Sequence, residues 1–564
     1  PAKWVRLDQV VGAHALLHGR IMEARTGEGK SLTGAIALHV RAFDAESNGV
    51  FGMAPNEKLA ANIYDEVGRI AKNLPTTTAR ITEDMAVPTR RVAYQSRIVV
   101  GADELVFDLL GDRLGQHKFS SLDQAVLRTL EQSAKEGDVW AATARDAMLA
   151  AKRAKGVQAG RGSHLLFDEV DKILIDDASM PYRLSDETGA PAPVADLAYA
   201  YSIARRLDPD VHFTVDMDLR TAKLTDPGLA FIKKLPAERG GRNLKKNRRL
   251  RDHVENALIA RHVLNDGVPG KGIHYVVRYN PELGKREVVT VGPDQRPELG
   301  RVFSDALQQA VEYAEKQRFP DLEISEPSKT AGSMYIHEFI ADREFAGMTG
   351  VIGETRGAFH TVYDKKVVYV EPHNGVRRID QSSVGHGSLA QERQAGIENV
   401  VKAREQDRPV LVAAQDLIQA ELISRELKQR GIEHELLTAK SALREDEIIS
   451  MAGRKRAVTV STMSGRGVDI KLGGDVDFMT RKAMDERYPG GWSENTAEYR
   501  AVRQGIAARQ KAEAAYLNDR GGLAVIGLGE PLSARLEWQL RGRAGRNGQH
   551  GSSVIHRSPE DRVL

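Results

Sequence analysis

Ala24-Arg25-Thr26-Gly27-Glu28-Gly29-Lys30-Ser31 has the residue types and spacing of a phosphate-binding loop: a small residue, four spacers, then Gly-Lys-Ser. Gly27 and Gly29 lack a Cβ, so the backbone there can curl and turn successive N–H groups inward. Apolar Leu32, Ile36, Ala37 and Val40 follow at helical spacing and predict an amphipathic helix starting near Lys30. Its N-terminus would add partial positive charge where phosphates sit. In such a loop the Lys30 ammonium reaches the β- and γ-phosphates and the Ser31 hydroxyl ligates Mg²⁺, so the expected ligands are ATP and Mg²⁺. Taken alone, the stretch also fits a glycine turn that ends in Lys-Ser, and the rest of the chain weighs between the two.

An apolar run, His164-Leu165-Leu166-Phe167, leads into Asp168-Glu169-Val170-Asp171. In open α/β sheets ligands bind at the carboxyl ends of strands. There, Asp168 suits the role of Mg²⁺ holder and Glu169 that of a base accepting a proton from attacking water. Upstream of the loop, Gln9 has an amide that can donate to and accept from an adenine edge at once. Near the other end lies Gln539-Leu540-Arg541-Gly542-Arg543-Ala544-Gly545-Arg546. Residues three apart on a helix share a face, so Arg543 and Arg546 are expected to point together at one anion as arginine fingers. A basic helix face is the plainer reading.

The elements that must position these groups alternate. Val50-Phe51-Gly52-Met53-Ala54 and Arg97-Ile98-Val99-Val100-Gly101-Ala102 read as buried strands, each followed by a helical pattern. With the run at 164–168 they predict a parallel, doubly wound sheet. Residues 115–160 read as a charged helical excursion, and Ala190-Pro191-Ala192-Pro193 as a linker. From 185 to 335 the pattern changes to an α+β domain, with strands near 212–215, 273–277 and 286–291 and helices near 254–264 and 304–316. The basic run from Arg242 to Arg251 reads first as a solvated loop and helix start, and second as a polyanion or lipid-headgroup contact. A second α/β half begins near 372. It has strands at 409–414, 457–462 and 523–527, and no phosphate loop of its own.

The 564 residues leave room for about three or four domains. The net charge is only +3, which gives little support for a nucleic-acid partner or an acidic membrane surface. The absence of cysteine excludes disulfides and thiolate metal sites, and the 16 histidines show no zinc-ligand spacing. No apolar run is long enough to span a bilayer, and no signal peptide opens the chain. A first residue of Pro1 rather than Met suggests a processed chain or a piece of a longer one.

Taken together, the Thr26–Ser31 loop, Asp168-Glu169-Val170-Asp171-Lys172-Ile173-Leu174-Ile175-Asp176, Ala346-Gly347-Met348-Thr349-Gly350, Gly465-Arg466-Gly467-Val468-Asp469-Ile470 and the 539–546 motif resemble the SecA preprotein translocase ATPases, from about Leu7 to Asp561. The resemblance implies two RecA-like parallel-sheet motor domains, one at 1–184 plus 336–371 and the other at 372–564. Between them, at 185–335, it implies an inserted α+β domain that holds unfolded preprotein. It further implies that Gln9 reads adenine and that Gly27, Glu28, Gly29, Lys30 and Ser31 hold phosphate. Arg466 and Asp469 would contact nucleotide, Glu169 would be the base, and Arg543 and Arg546 the fingers. The implied partners are unfolded preprotein, a SecYEG-type channel, an anionic membrane surface and a second copy of the chain. The implied location is the cytoplasm, peripheral to the inner (plasma) membrane. A superfamily 2 helicase-type ATPase acting on RNA or DNA is the alternative. The long insertion before Ala346 and the near-neutral charge argue against it, making nucleic acid an unlikely partner. The sequence departs from the family where Asn62 replaces a nucleotide-side arginine and where 528–538 drifts. The resemblance stops before the family's scaffold helix, wing and zinc tail.

Overall fold

The computed structural model describes residues 5–44, 47, 49–117, 129–130, 132–133, 138–144, 164–186, 194–216, 221–235, 248–264, 274–280, 285–291, 297–298, 303, 306–325, 329–437, 444–463, 469–531 and 533–561. The linker reading at 190–193 lies outside them, as do most of the 115–160 excursion and most of the basic run at 242–251. The described chain forms two units, one of residues 1–185, 330–376 and 546–548, the other of 186–329, 377–545 and 549–564.

The first unit is built on a seven-stranded sheet. In spatial order its strands are Val367–Val370, Ile21–Ala24, Glu344–Thr349, His164–Asp168, Val50–Met53, Ile98–Gly101 and Thr78–Arg80. Every pairing is parallel. Such a sheet is covered on both faces, and its inner strands are accordingly apolar along most of their length, with His164, Asp168 and Glu344 at strand ends. Alternation sends Phe51, Leu165, Phe167 and Phe345 into one core, and Met22, Val50, Leu166 and Met348 into the other. The helix Lys30–Ala42 lies in the second core, but on a different face from the one its apolar spacing suggests: Thr33, Gly34, Ala37 and Leu38 are buried while Val40 is 49% exposed. The reason is close approach. A Cβ on Gly34 would stand 2.9 Å from Met348 Cε, so the helix rests on the sheet at its smallest residue. The ribbon that pairs Tyr182–Asp186 with Lys329–Met334 marks where the chain leaves and re-enters this unit.

The second unit has a parallel sheet in the order Arg377–Asp380, His550–Arg557, Leu523–Leu528, Val410–Ala414, Val458–Thr462 and Glu435–Leu437, with the short strand Val384–Gly385 also on His550–Arg557. The described residues between 186 and 329 form the α+β part. It contains helices Val194–Ala204, Arg248–Leu258 and Leu307–Lys316, a hairpin of Phe213–Asp216 with Thr221–Leu224, and a three-stranded sheet of Pro297–Glu298, Lys285–Val291 and Tyr275–Asn280. Phe213, Val254, Leu258, Val311 and Leu322 are its buried centre. Among the described residues, no helix is long and apolar enough to cross a membrane.

One feature of this unit has a measurable signature. Glu392, on the helix Leu389–Glu405, is buried beside the equally buried Asp561. Burial first, and then the charge of Asp561, push the Glu392 carboxyl from its ordinary 4.5 up to about 8. The folded chain therefore keeps a proton there that the unfolded chain has lost, so this group makes stability fall as pH rises between 4.5 and about 8. Glu392→Gln cannot ionise. Its thermal melts are expected to lack this component of the decline and to exceed the parent's by a few degrees above pH 8. Superimposable pH profiles for the two chains would contradict the assignment.

Candidate active site

Three neighbouring parallel strands end together and supply the candidate site. Met22 pairs with Met348, and Met348 with Asp168, so the loop after Ile21–Ala24, the Thr349-Gly350 corner and the Asp168-Glu169 pair lie side by side at the carboxyl edge of the first sheet. The phosphate-type loop closes on the helix Lys30–Ala42 with Gly29 as its N-cap, and both Gly27 (φ 94°) and Gly29 (φ 80°) are left-handed. An L side chain is strained in that conformation. The N–H groups of the helix's first turn lack intrahelical partners, and the helix dipole is positive at this end, so the loop is built to take an anion.

Lys30 Nζ stands 3.6 Å from Glu169 Oε1, with the lysine side chain 9% exposed. Glu169 itself takes a left-handed backbone (φ 46°), unusual for a residue with a Cβ, and its N–H donates to Asp168 Oδ1 at 3.0 Å. Asp168 is buried. Burial, and next the neighbouring Glu169 charge, push its carboxyl up to about 7, while Lys30 acts in the opposite direction. Thr349 lies across from the pair. Its hydroxyl donates to Asp171 Oδ1 at 2.6 Å and is 3.4 Å from Glu169 Oε2. After Asp171 the chain makes a π turn, Lys172–Asp176, and the Tyr363 hydroxyl donates to the Leu174 carbonyl within it at 2.5 Å. Such turns interrupt regular helical bonding and often mark functional sites.

Gln9 is buried on the helix Leu7–Leu17. Its Oε1 accepts the Arg6 N–H at 3.1 Å, and its Nε2 lies 2.5 Å from where a Cβ on Gly29 would stand. The glutamine thus borders the loop. Glu28 is buried too. Its carboxylate accepts the His373 N–H at 3.2 Å and lies 3.3 Å from the Arg6 guanidinium, which also donates to the Glu28 carbonyl at 2.6 Å.

The two arginines do not share a helical face. The helix Ala534–Arg541 ends before either, Gly545 turns the chain left-handed (φ 66°), and Arg546 opens a short 3₁₀ turn. Where a Cβ on Gly545 would stand, Arg378 Cβ is 2.6 Å away, so only glycine allows this turn. Residues 546–548 cluster with the first unit. The buried Arg546 lies beside the phosphate-type loop, its Cβ 3.4 Å from the position of a Cβ on Gly27. Arg543 belongs to the second unit and is partly buried. Asp469 also lies in the second unit, where its charge acts on Lys471. Arg466 lies outside the described residues.

Sequence reasoning gave no role to Arg6, Asp171, Thr349 or Tyr363. Gln9, three residues after Arg6, marks the start of the helix by accepting the Arg6 N–H, but the reach of the Arg6 guanidinium to Glu28 had no local signal. Asp171 and Thr349 stand far apart in the chain, and only the sheet joins them. Among the described residues no group of three or more His, Asp or Glu could hold a metal by itself. The donors available for a hard cation are the Ser31 hydroxyl and the Asp168 carboxylate, and oxygen donors of this kind suit Mg²⁺.

Fold and site together define a RecA-like phosphate-loop protein with two parallel sheets. Residues 6–360 match the family model of the SecA DEAD-like domain and residues 375–564 that of the SecA P-loop domain, and the chain belongs to the SecA family. The protein translocase subunit SecA of Desulforamulus reducens is 32% identical over 564 residues, which cover 99% of this chain and 58% of that protein. SecA 1 of Thermobifida fusca is 32% identical over 574 residues, covering 99% and 52% respectively. The chain thus spans little more than half the length of these relatives. Among solved structures, the DEAD-box helicase Mss116 bound to ssRNA and UDP-BeF aligns with 97% of this chain and 69% of its own at 12% identity, with a TM-score of 0.42.

Proposed function

We propose that this chain is a SecA-type motor that hydrolyses ATP with Mg²⁺ and couples the hydrolysis to export of unfolded preprotein through a SecYEG-type channel. It would work in the cytoplasm at the inner membrane. The observation that carries the reading is Glu169 facing Lys30 across 3.6 Å at the end of the phosphate-loop strand's neighbours. Phosphates sit on the N–H groups of Gly27 to Ser31, and Lys30 turns from Glu169 to the γ-phosphate. Glu169, released from that ion pair, accepts the proton of the attacking water. Ser31 and Asp168 would hold Mg²⁺, which neutralises charge on the phosphates when bound. Arg546 stabilises charge on the transferring phosphoryl group, with Arg543 as the second finger. Gln9 reads adenine, and Arg466 and Asp469 contact nucleotide from the second sheet's side of the sequence. The α+β part at 185–335 holds the unfolded polypeptide. An anionic membrane surface and a second copy of the chain are further partners.

The test is the steady-state ATPase rate, measured alone, with an unfolded signal-bearing precursor plus channel-containing membranes, and with RNA. Stimulation by precursor and membranes is the expected result. Stimulation by RNA alone would replace this reading with a helicase-type one. A rate indifferent to both would remove the coupling and leave the hydrolysis.

A further inference from the structure

Glu28 stands between two left-handed glycines in the phosphate-type loop, yet its side chain is spoken for by groups outside that loop. The carboxylate is 7% exposed, and both its donors are remote in sequence: the Arg6 guanidinium at 3.3 Å and the His373 N–H at 3.2 Å. Arg6 reinforces the arrangement by donating to the Glu28 carbonyl at 2.6 Å and pairing with Asp8 at 2.8 Å. His373 belongs to the few residues by which the chain passes from the last strand of the first sheet, Val367–Val370, to the first strand of the second, Arg377–Asp380. The next residue, Asn374, lies against Gly548, two positions from Arg546: a Cβ on Gly548 would stand 2.6 Å from Asn374 Cβ. The Glu28 carboxylate thus joins the loop to the start of the Gln9 helix and to the 371–376 segment, and that segment touches the Arg546 turn through Asn374.

We propose that Glu28 is a positioning residue that ties the phosphate loop to the 371–376 segment, so that an anionic ligand in the loop is sensed there. This rests on the loop holding nucleotide. The physical cause is like-charge repulsion in a poorly hydrated place. Phosphates on the loop's N–H groups bring negative charge beside the Glu28 carboxylate. The carboxylate is pushed toward Arg6 and the His373 N–H, and the tie to the 371–376 segment tightens. Thermodynamic reciprocity requires the converse: holding that segment in place favours phosphate in the loop. Glu28 then acts on the nucleotide only through other groups, and its carboxylate makes no contact with phosphate.

The chain has no cysteine, so a single one at Gly375 can be labelled without background, and Gly375 has nothing within 4 Å of a Cβ. The full chain carrying Gly375→Cys with an environment-sensitive fluorophore is titrated with ATP, and binding is followed separately with a mant-labelled nucleotide. In the Glu28-containing chain the label responds on binding. In Glu28→Ala and in Arg6→Ala the response is lost, while the nucleotide Kd moves by about fivefold. The double variant adds nothing to either single change, because Arg6 acts on the segment only through the Glu28 carboxylate that it holds against the His373 N–H. Glu28→Gln keeps an acceptor oxygen for His373 and retains part of the response. An undiminished label response in Glu28→Ala, with normal binding, overturns this inference and leaves the nucleotide reading intact. Loss of nucleotide binding in Glu28→Ala but not in Arg6→Ala also overturns it, since the carboxylate would then act on the ligand directly. No mant-nucleotide binding by the Glu28-containing chain would overturn the nucleotide reading, and this inference with it.

Discussion

Glu169→Gln is expected to bind ATP about as well as the parent chain and to hydrolyse it about 10² to 10⁴ times more slowly. The substitution preserves shape and one acceptor oxygen, and removes the ability to take a proton together with the charge that faces Lys30. Three local observations support so large an effect. Glu169 faces Lys30 at 3.6 Å, so it borders the place where the terminal phosphate would sit. Its backbone is held left-handed, a conformation that a residue with a Cβ keeps only where its surroundings enforce it. Asp168 beside it is buried and gives its Oδ1 to the Glu169 N–H, so it is not free to take over from Glu169. Nucleotide affinity and single-turnover hydrolysis, measured on the same preparation, separate binding from chemistry. A variant that turns over within a few-fold of the parent would take Glu169 out of the role of base.

Phe167→Ala is expected to cost about 3–5 kcal/mol of stability. Phe167 is wholly buried on the strand His164–Asp168, between Met53 on one neighbouring strand and Gly347 on the other. Its ring meets Phe345 edge to face at a centroid distance of 5.8 Å. Gly347 offers no side chain to fill the space, so a truncated residue 167 leaves a cavity in the middle of the sheet. Urea unfolding measures the loss. Phe167→Leu, which keeps most of the volume, should cost less than about 1.5 kcal/mol. An Ala variant within that smaller range would show that the sheet collapses around the gap. Because Phe167 immediately precedes Asp168, the Ala variant should also lose ATPase activity in excess of its unfolded fraction.

The parts of this molecule that could be read from its sequence are those whose chemistry is written in adjacent residues. The Gly-Lys-Ser loop needs its glycines and lysine at fixed spacing, and the Asp168-Glu169 pair sits at the end of an apolar run whose β character is plain. The inner strands Val50–Met53, Ile98–Gly101, Val410–Ala414 and Val458–Thr462 were visible for the same reason. The strand Glu344–Thr349 was hidden, although it lies beside the loop strand. Its Ala346-Gly347-Met348 carries none of the β-branched residues that announce a strand, and Gly347 is there because Val170 Cγ2 would stand 2.5 Å from any Cβ. The strand His550–Arg557 was hidden by its polar opening, His550-Gly551-Ser552-Ser553. Arg543 and Arg546 read as a helical pair because spacing alone does not reveal that the helix stops at Arg541 and that Gly545 then turns the chain. The surroundings of Glu28 could not be read locally at all, since Arg6 and His373 reach it from opposite ends of the first unit's chain.

The strand order of the first sheet also sets a timetable for the newborn chain. Among the described residues, the loop strand Ile21–Ala24 has two hydrogen-bonded neighbours, Glu344–Thr349 and Val367–Val370, and both emerge long after it. Ribosomes add about 5–20 residues per second, so the phosphate loop waits tens of seconds for its first β partner. Meanwhile the whole 186–329 segment must be made and looped out between strands that end up adjacent. Pairings of such long range form slowly. Until residue 349 is available, His164–Asp168 offers an unsatisfied, apolar sheet edge to whatever it meets. Half-made chains that stop short of that point should therefore be sticky and unable to bind nucleotide, and the ability to bind it should arrive late and all at once.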